Sequence, residues 1–208
     1  MILTKSAEGV LDAMANNKKL VYLMRGLPGC GKSHLARRLA AGKGVVLETD
    51  QYFYSQVGDD PASYDYSEAL LPAARQWNFE RFRQAIRHAA TPIVVDRGNG
   101  LNLETRRYVA LAYEHGYRVE LAEPDSSWWL ELRVLLKYQR YVDRELLDAW
   151  AERLAESTRQ DHRVPAATIR HWMSHWRHDL TVDQILAWNE PNHAARPEGD
   201  DTAVNSAG

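Results

Sequence analysis

From Lys19 to Arg25 (KLVYLMR) the chain is almost continuously apolar and ends against a glycine and a proline, as a parallel strand buried on both faces does. Three shorter β-branched runs follow, at Gly44–Glu48, Pro92–Val95 and Arg118–Ala122, and the first two finish at aspartates, Asp50 and Asp96. Between them, apolar residues recur at helical spacing over Lys32–Ala41, Glu68–Ala89 and Glu104–His115. Strand and helix therefore alternate, which predicts βαβ units with right-handed crossovers and a short, mostly parallel sheet flanked by helices. Beyond Trp128 the pattern is helical only. One long helix is expected over Trp128–Ser157 and another over Ala166–Arg177, opened by Pro165 and placed to cover one end of the sheet.

The flanks differ. Leu3, Ala7, Val10, Leu11 and Met14 predict a short amphipathic helix within residues 1–18, whereas the small, polar, proline-bearing residues 191–208 predict an unstructured tail. The expected organisation is an N-terminal helical extension, one α/β domain over 19–190 with a helical lid at about 128–165, and the tail. Hydrophobic residues make up 45% of 208, enough for a real core. The formal net charge of -2 supplies no global positive field for unspecific binding to nucleic acid or membrane, so an anionic ligand must be held locally. A single cysteine closes no internal disulfide, no apolar run reaches the ~20 residues of a membrane span, and Met1–Asn17 does not read as a secretory signal. These features point to a reduced, cytoplasmic setting.

Chemistry enters with Gly26-Leu27-Pro28-Gly29-Cys30-Gly31-Lys32-Ser33, a full G-x-x-x-x-G-K-[ST] between a buried strand and a helix. Glycines let the backbone wrap a phosphate with its N–H groups inward, and the helix N-terminus adds positive partial charge. This defines a P-loop NTPase fold binding ATP or GTP. All eight loop residues, with His34 behind them, are the expected nucleotide contacts; Lys32 meets the β- and γ-phosphates and Ser33 ligates Mg²⁺. Cys30, near that helix N-terminus, is expected to have a lowered pKa and to be open to oxidants and alkylators.

Two carboxylates stand where an open parallel sheet places its reaction crevice. Asp96 ends an apolar strand and is the candidate for the metal shell or the acceptor site; Asp50 is the candidate base. Arg153, Arg159 and Arg163 can bring cations from the helical segment onto a transferring phosphoryl group, or simply pair with glutamates on a solvated face. Tyr52, Phe53, Tyr54, Tyr64 and Tyr66 can stack a base, line an acceptor groove or pack a core. His171, His175 and His178 share helical spacing but lack a completing ligand nearby, so they read as part of an amphipathic helix.

In order and spacing, GLPGCGKS, TDQYF, the Tyr66, Trp77-Asn78 and Arg81 elements, VVDRGN, EPDSSW and RQDHRVP resemble the P-loop polynucleotide 5′-hydroxyl kinases. That family spans the kinase half of a bacteriophage enzyme and kinase-like domains of animal ubiquitin-ligase-binding proteins. The resemblance covers about Leu20–Glu190 and implies an ATP- and Mg²⁺-dependent kinase-type P-loop fold with a helical lid. It further implies transfer to a hydroxyl acceptor, the 5′ end of DNA or RNA. By the same resemblance Asp50 contacts and activates the acceptor hydroxyl, Arg159 is the lid arginine, and Asp96 and Asn99 form the Asp-x-x-Asn element beside the substrate. Phe53 stands where the phage pattern has an arginine for the acceptor's 3′-phosphate. Gln51, Arg97 and Gly98 also depart from the pattern, and residues 137–157 enlarge the segment before Arg159. Two rival readings remain open: a small-molecule kinase, and an ATP-binding switch or adaptor without an acceptor.

Overall fold

The computed structural model describes residues 19–55, 66–159 and 163–189. The expected N-terminal helix, Tyr64 and the tail lie outside these described residues.

Four parallel strands, β1 (Leu20–Met24), β2 (Val45–Glu48), β3 (Ile93–Asp96) and β4 (Arg118–Ala122), lie in the order β2-β3-β1-β4. The expected α/β fold is present. Registry pairs Val21 with Ile93, Leu20 with Arg118 and Glu48 with Asp96, which brings the carboxyl ends of β2 and β3 level. Helix α1 (Lys32–Ala40) follows the glycine loop, and a short helix α2 (Gln51–Ser55) follows β2. A 3-10 turn (Glu68–Leu70) leads into α3 (Leu71–Arg87), with Pro72 in its first turn. Helix α4 (Leu103–Glu114) is capped by the Asn102 side chain, which accepts from the Thr105 N–H.

The strands are continuously apolar because both faces are covered. Val21, Leu23, Ile93 and Val95 pack with Phe82, Ile86, Tyr108 and Val109 of α3 and α4, while Met24 and Val94 turn to Leu35, Ala36 and Ala40 of α1. After β1 the chain leaves toward β2; after β3 it crosses to β4. The loops at these two carboxyl ends thus part in opposite directions and open the crevice between them.

The long helix expected over Trp128–Ser157 is two: α5 (Ser127–Lys137) and α6 (Arg144–Ser157), separated by a 3-10 turn at Gln139–Tyr141. A straight helix of that length would run about 45 Å and carry half of its apolar face past the core. The break instead returns Leu147, Trp150 and Leu154 to the cluster that Trp129, Leu132 and Leu136 begin. The next helix, α7 (Ala166–Ser174), stops short of the expected Arg177. There the Ser174 hydroxyl donates to the His171 carbonyl at 2.6 Å, a local bond that competes with continuing the helix. Helix α8 (Val182–Ala187) starts from a capping box of Thr181 and Gln184. Among the described residues no helix is long and apolar enough to cross a membrane.

Candidate functional site

The glycine loop bridges β1 and α1 in a conformation only glycine accepts easily: Gly26, Gly29 and Gly31 have φ of 144°, 74° and 93°. A Cβ on Gly26 would collide with Cys30 Sγ, whereas at Gly31 nothing lies within 4 Å. The cradle is therefore tight beneath and open above. Lys32 Nζ donates to the Leu27 carbonyl at 2.9 Å, arching across the loop. His34 is exposed and Pro28 half-buried. Leu27 and Cys30 point the other way, into the core of α5, α6 and α7 beside Trp129 and Leu154.

That orientation corrects the expectation for Cys30. The thiol is fully buried, and burial pushes its pKa up, opposed only in part by the Lys32 charge and the Lys32 backbone N–H. Proximity to a helix N-terminus does not make it acidic, because the side chain faces the apolar side of the loop rather than the phosphate side.

Across the crevice the level ends of β2 and β3 gather carboxylates. Asp96 is buried, and its carboxyl is raised above the ordinary range chiefly by desolvation; Lys32 and a hydrogen bond with Ser33 pull it back, while Asp50 adds to the rise. One of its oxygens, Oδ2, is buried without a hydrogen-bond partner among the described residues. Hydroxyl and carboxylate oxygens beside a phosphate cradle are the hard donor set that suits Mg²⁺. Glu48 joins them half-buried, raised first by desolvation and then by Asp96, and it accepts from Gln51 Nε2 at 3.2 Å. Asp50 stands half-buried in the turn between β2 and α2.

Other predicted residues have different surroundings. The Asn99 amide donates to the carbonyls of Met24 at 2.8 Å, Val95 at 3.0 Å and Arg97 at 3.1 Å, so it ties the ends of β1 and β3 together. Phe53 is 1% exposed and packs against Tyr52 and Tyr66, with ring centres 5.7 and 5.2 Å away. Arg159 is exposed and paired with Glu156 at 2.7 Å. It lies two residues past Ser157, whose hydroxyl donates to the Gly29 carbonyl at 3.3 Å. A cavity of about 500 Å³ beside it is lined by Glu152, Ala155, Glu156, Arg159, Arg163, Val164 and Pro165. Arg153 instead covers the Trp150 ring at 4.9 Å. His171 of α7 and His175, just past its end, are both exposed, with ring centres 4.5 Å apart and planes tilted by 45°.

Sequence reasoning passed over Arg25, Glu48 and the detailed use of Arg81. Arg25, adjoining the loop, is buried, pairs with Glu123 at 3.0 Å, donates to the Arg177 carbonyl at 2.7 Å and lies over Trp176 at 4.5 Å. Burial lowers its pKa below that of a free guanidinium. A charge closing an apolar strand just before a phosphate loop was the available signal. Glu48 carried none, because its closeness to Asp96 arises from cross-strand registry.

Residues 21–178 match the AAA domain family. Over 181 residues, 86% of this chain, the sequence is 32% identical to human NEDD4-binding protein 2, of which that stretch is 9%. It is also 29% identical over 132 residues, 53% of the chain, to human YLP motif-containing protein 1, covering 6% of that protein, and to its rat counterpart, covering 10%. The chain thus spans about a tenth or less of the length of the curated relatives it matches.

Proposed function

The chain belongs to the AAA domain family and is a kinase-like P-loop domain, and from that premise we propose that it moves the γ-phosphoryl group of ATP onto the 5′-hydroxyl of a polynucleotide. The observation that carries this reading is the meeting of Lys32, Ser33, Asp96 and Asp50 at the carboxyl ends of β1, β2 and β3. A donor cradle and an acid for an acceptor belong there in a phosphotransferase.

In this reading the loop amides and Lys32 hold the triphosphate, and the cavity between Arg159 and Pro165 has the size to take the base. Ser33 and Asp96 would hold Mg²⁺, which when bound would supply charge neutralisation to the triphosphate. Asp50 orients the acceptor hydroxyl and takes its proton as the new O–P bond forms; the bond from the γ-phosphorus to its bridging oxygen breaks and ADP leaves. Arg159 offsets charge on the transferring group from the end of α6. Asn99 supports the site by holding β1 against β3, and Phe53 by packing beneath the acceptor side. The work is positioning and charge neutralisation. A polynucleotide acceptor is supported by the ordered motifs around Asp50, Asp96 and Arg159. The net charge of -2, with Phe53 in place of a phosphate-gripping arginine, favours a small hydroxylated metabolite as the second reading. The setting proposed for the reaction is the cytoplasm.

The test is transfer of labelled phosphate from ATP to 5′-hydroxyl oligonucleotides and to a metabolite panel, with Asp50→Ala as control. Asp50→Ala should keep ATP affinity within about twofold and lose transfer by ~10²–10³. Transfer that survives within a few-fold removes Asp50 from the mechanism. Labelled metabolites without labelled oligonucleotides shift the acceptor to the second reading. ATP hydrolysis with no acceptor product identifies a switch.

A further inference from the structure

The turn that carries Asp50 is held from both sides by one helix that contributes nothing to the nucleotide loop. On its leading side, Asn78 Nδ2 of α3 donates to Thr49 Oγ1 at 3.3 Å and to the Leu47 carbonyl at 3.4 Å, and the Asn78 side chain is fully buried. On its trailing side, Arg81 Nη1 donates to Gln51 Oε1 at 2.7 Å, and Gln51 Nε2 passes the contact on to Glu48. Arg81 is itself fixed, its guanidinium 4.4 Å from the centre of the Trp77 ring. The edge of that ring meets Tyr52 at 5.7 Å and 66°. Thr49, Gln51 and Tyr52 are thus each secured by a residue of Trp77-Asn78-x-x-Arg81. Asp50 is the residue they enclose.

We infer that Arg81 is a positioning residue for the acceptor acid: through Gln51, with Trp77 and Asn78 on the same helical turn, it holds Asp50 at the depth in the crevice where an acceptor hydroxyl must be met. The inference rests on the reading of Asp50 as that acid. Geometry explains why a clamp is needed. Asp50 begins no strand and ends none; it lies in a turn before a five-residue helix, and a turn of this kind is located by its tertiary contacts. A displacement of about 1 Å at a reacting group is enough to lower a rate ~10²-fold. Arginine suits the task because its planar fork can lie on an indole while one N–H reaches an amide oxygen, which lysine does less well. The bond from Arg81 to Gln51 spans 30 positions and joins α3 to the turn across the crevice wall.

The experiment compares Arg81→Met, Arg81→Lys and Gln51→Ala with the unaltered chain in transfer from ATP to a 5′-hydroxyl oligonucleotide, alongside calorimetric titration with Mg·ATP and crystal structures of the variants. Expected for Arg81→Met is a fall in kcat of about 100-fold with ATP affinity within about twofold, a smaller fall for Gln51→Ala, and recovery of about tenfold by Arg81→Lys. Combined with Asp50→Ala, Arg81→Met should produce no further loss, since it acts only through that carboxylate. The Arg81→Met crystal should show the Asp50 carboxylate displaced while Lys32 and the sheet stay in place. Turnover of Arg81→Met within threefold of the parent, a loss that multiplies fully with that of Asp50→Ala, or an Asp50 that has not moved overturns the inference. Should the unaltered chain label no oligonucleotide, the acceptor reading fails by itself, and the crystal comparison still decides whether Arg81 holds Asp50. Gln51→Ala, which leaves Arg81 on Trp77, keeps the test intact if Arg81→Met does not fold.

Discussion

Two cores meet at the glycine loop, and they are built differently. The sheet-side core is made of β-branched strand residues sealed by Phe82 and Tyr108, and its side chains come from elements far apart in the chain. The helical core is made of Trp129, Trp150 and leucines from α5 and α6 with Ile169 and Met173 from α7, and it takes in Leu27 and Cys30 from the loop. The loop is therefore attached by its backbone to the sheet and by its side chains to the helices. Gly29 shows how close this is: a Cβ there would run into Ser157 Oγ and would stand 2.7 Å from the Leu154 carbonyl. A freely hinged lid over 128–165 would leave the loop intact on opening. Helices α5 and α6 meet the loop at Leu27 and Cys30, and the exposed Arg159 directly follows the buried Thr158.

The contrast is broken most forcefully by removing one large ring from each core. Trp129→Ala and Phe82→Ala should each lower stability by about 3–5 kcal/mol in chemical denaturation. Only Trp129→Ala should weaken Mg·ATP binding at a temperature where both variants are folded; Phe82→Ala should leave it within about twofold. Equal effects on binding would dissolve the distinction. A smaller difference is expected within the loop. Gly29→Ala meets α6 as well as an unfavourable φ and should cost about 2–4 kcal/mol, against about 1–2 for Gly31→Ala, which meets only the φ penalty. Melting the two variants side by side reads the docking of α6 directly.

The smallest effects separate the polar groups that the two sides contribute. Asp96 is held above the ordinary carboxylate range by burial, so the unfolded chain gives up this proton at lower pH than the folded one does. Its contribution to stability is present at acid pH and is lost as pH rises toward its folded value. Asp96→Asn should accordingly raise Tm by about 2 °C or more at pH 7, with the gain vanishing below the ordinary carboxylate range. Arg159→Ala, removing an exposed ion pair, should shift stability by about 0.5 kcal/mol or less while lowering phosphoryl transfer ~10²-fold. A destabilised Asp96→Asn variant at neutral pH would mean that the carboxylate is compensated after all.

Most of the architecture is legible in the chain because it follows from local pattern. Buried parallel strands are apolar throughout, and a glycine loop between strand and helix needs few residues to declare itself. Asp96, which ends β3, and Asp50, two residues past the end of β2, are marked by the same local signal, an acid where an apolar run stops. What escaped depends on distance. The break at Gln139–Tyr141 has no proline or glycine to mark it and follows from the need of α6 to return to Trp129. The tie between Gln51 and Arg81 requires knowing that α3 lies against the end of β2. Cys30 was misjudged from the neighbourhood of a helix terminus, although its character is set by which side of the loop its Cβ leaves. Asn99, expected beside the substrate, has its amide committed to three backbone carbonyls.

Arg25 carries an implication for how this chain can be shortened. Its guanidinium lies over the Trp176 indole and binds the Arg177 carbonyl, and it directly precedes the first glycine of the loop. A fragment stopped at the end of α6, trimmed to what looks like the catalytic minimum, would strip that cation of its indole cover and its carbonyl acceptor and leave it Glu123 as its ion-pair partner. The connection between α7 and α8 thus latches the residue where the glycine loop starts, and a fragment without it should forfeit its grip on nucleotide before it loses its sheet.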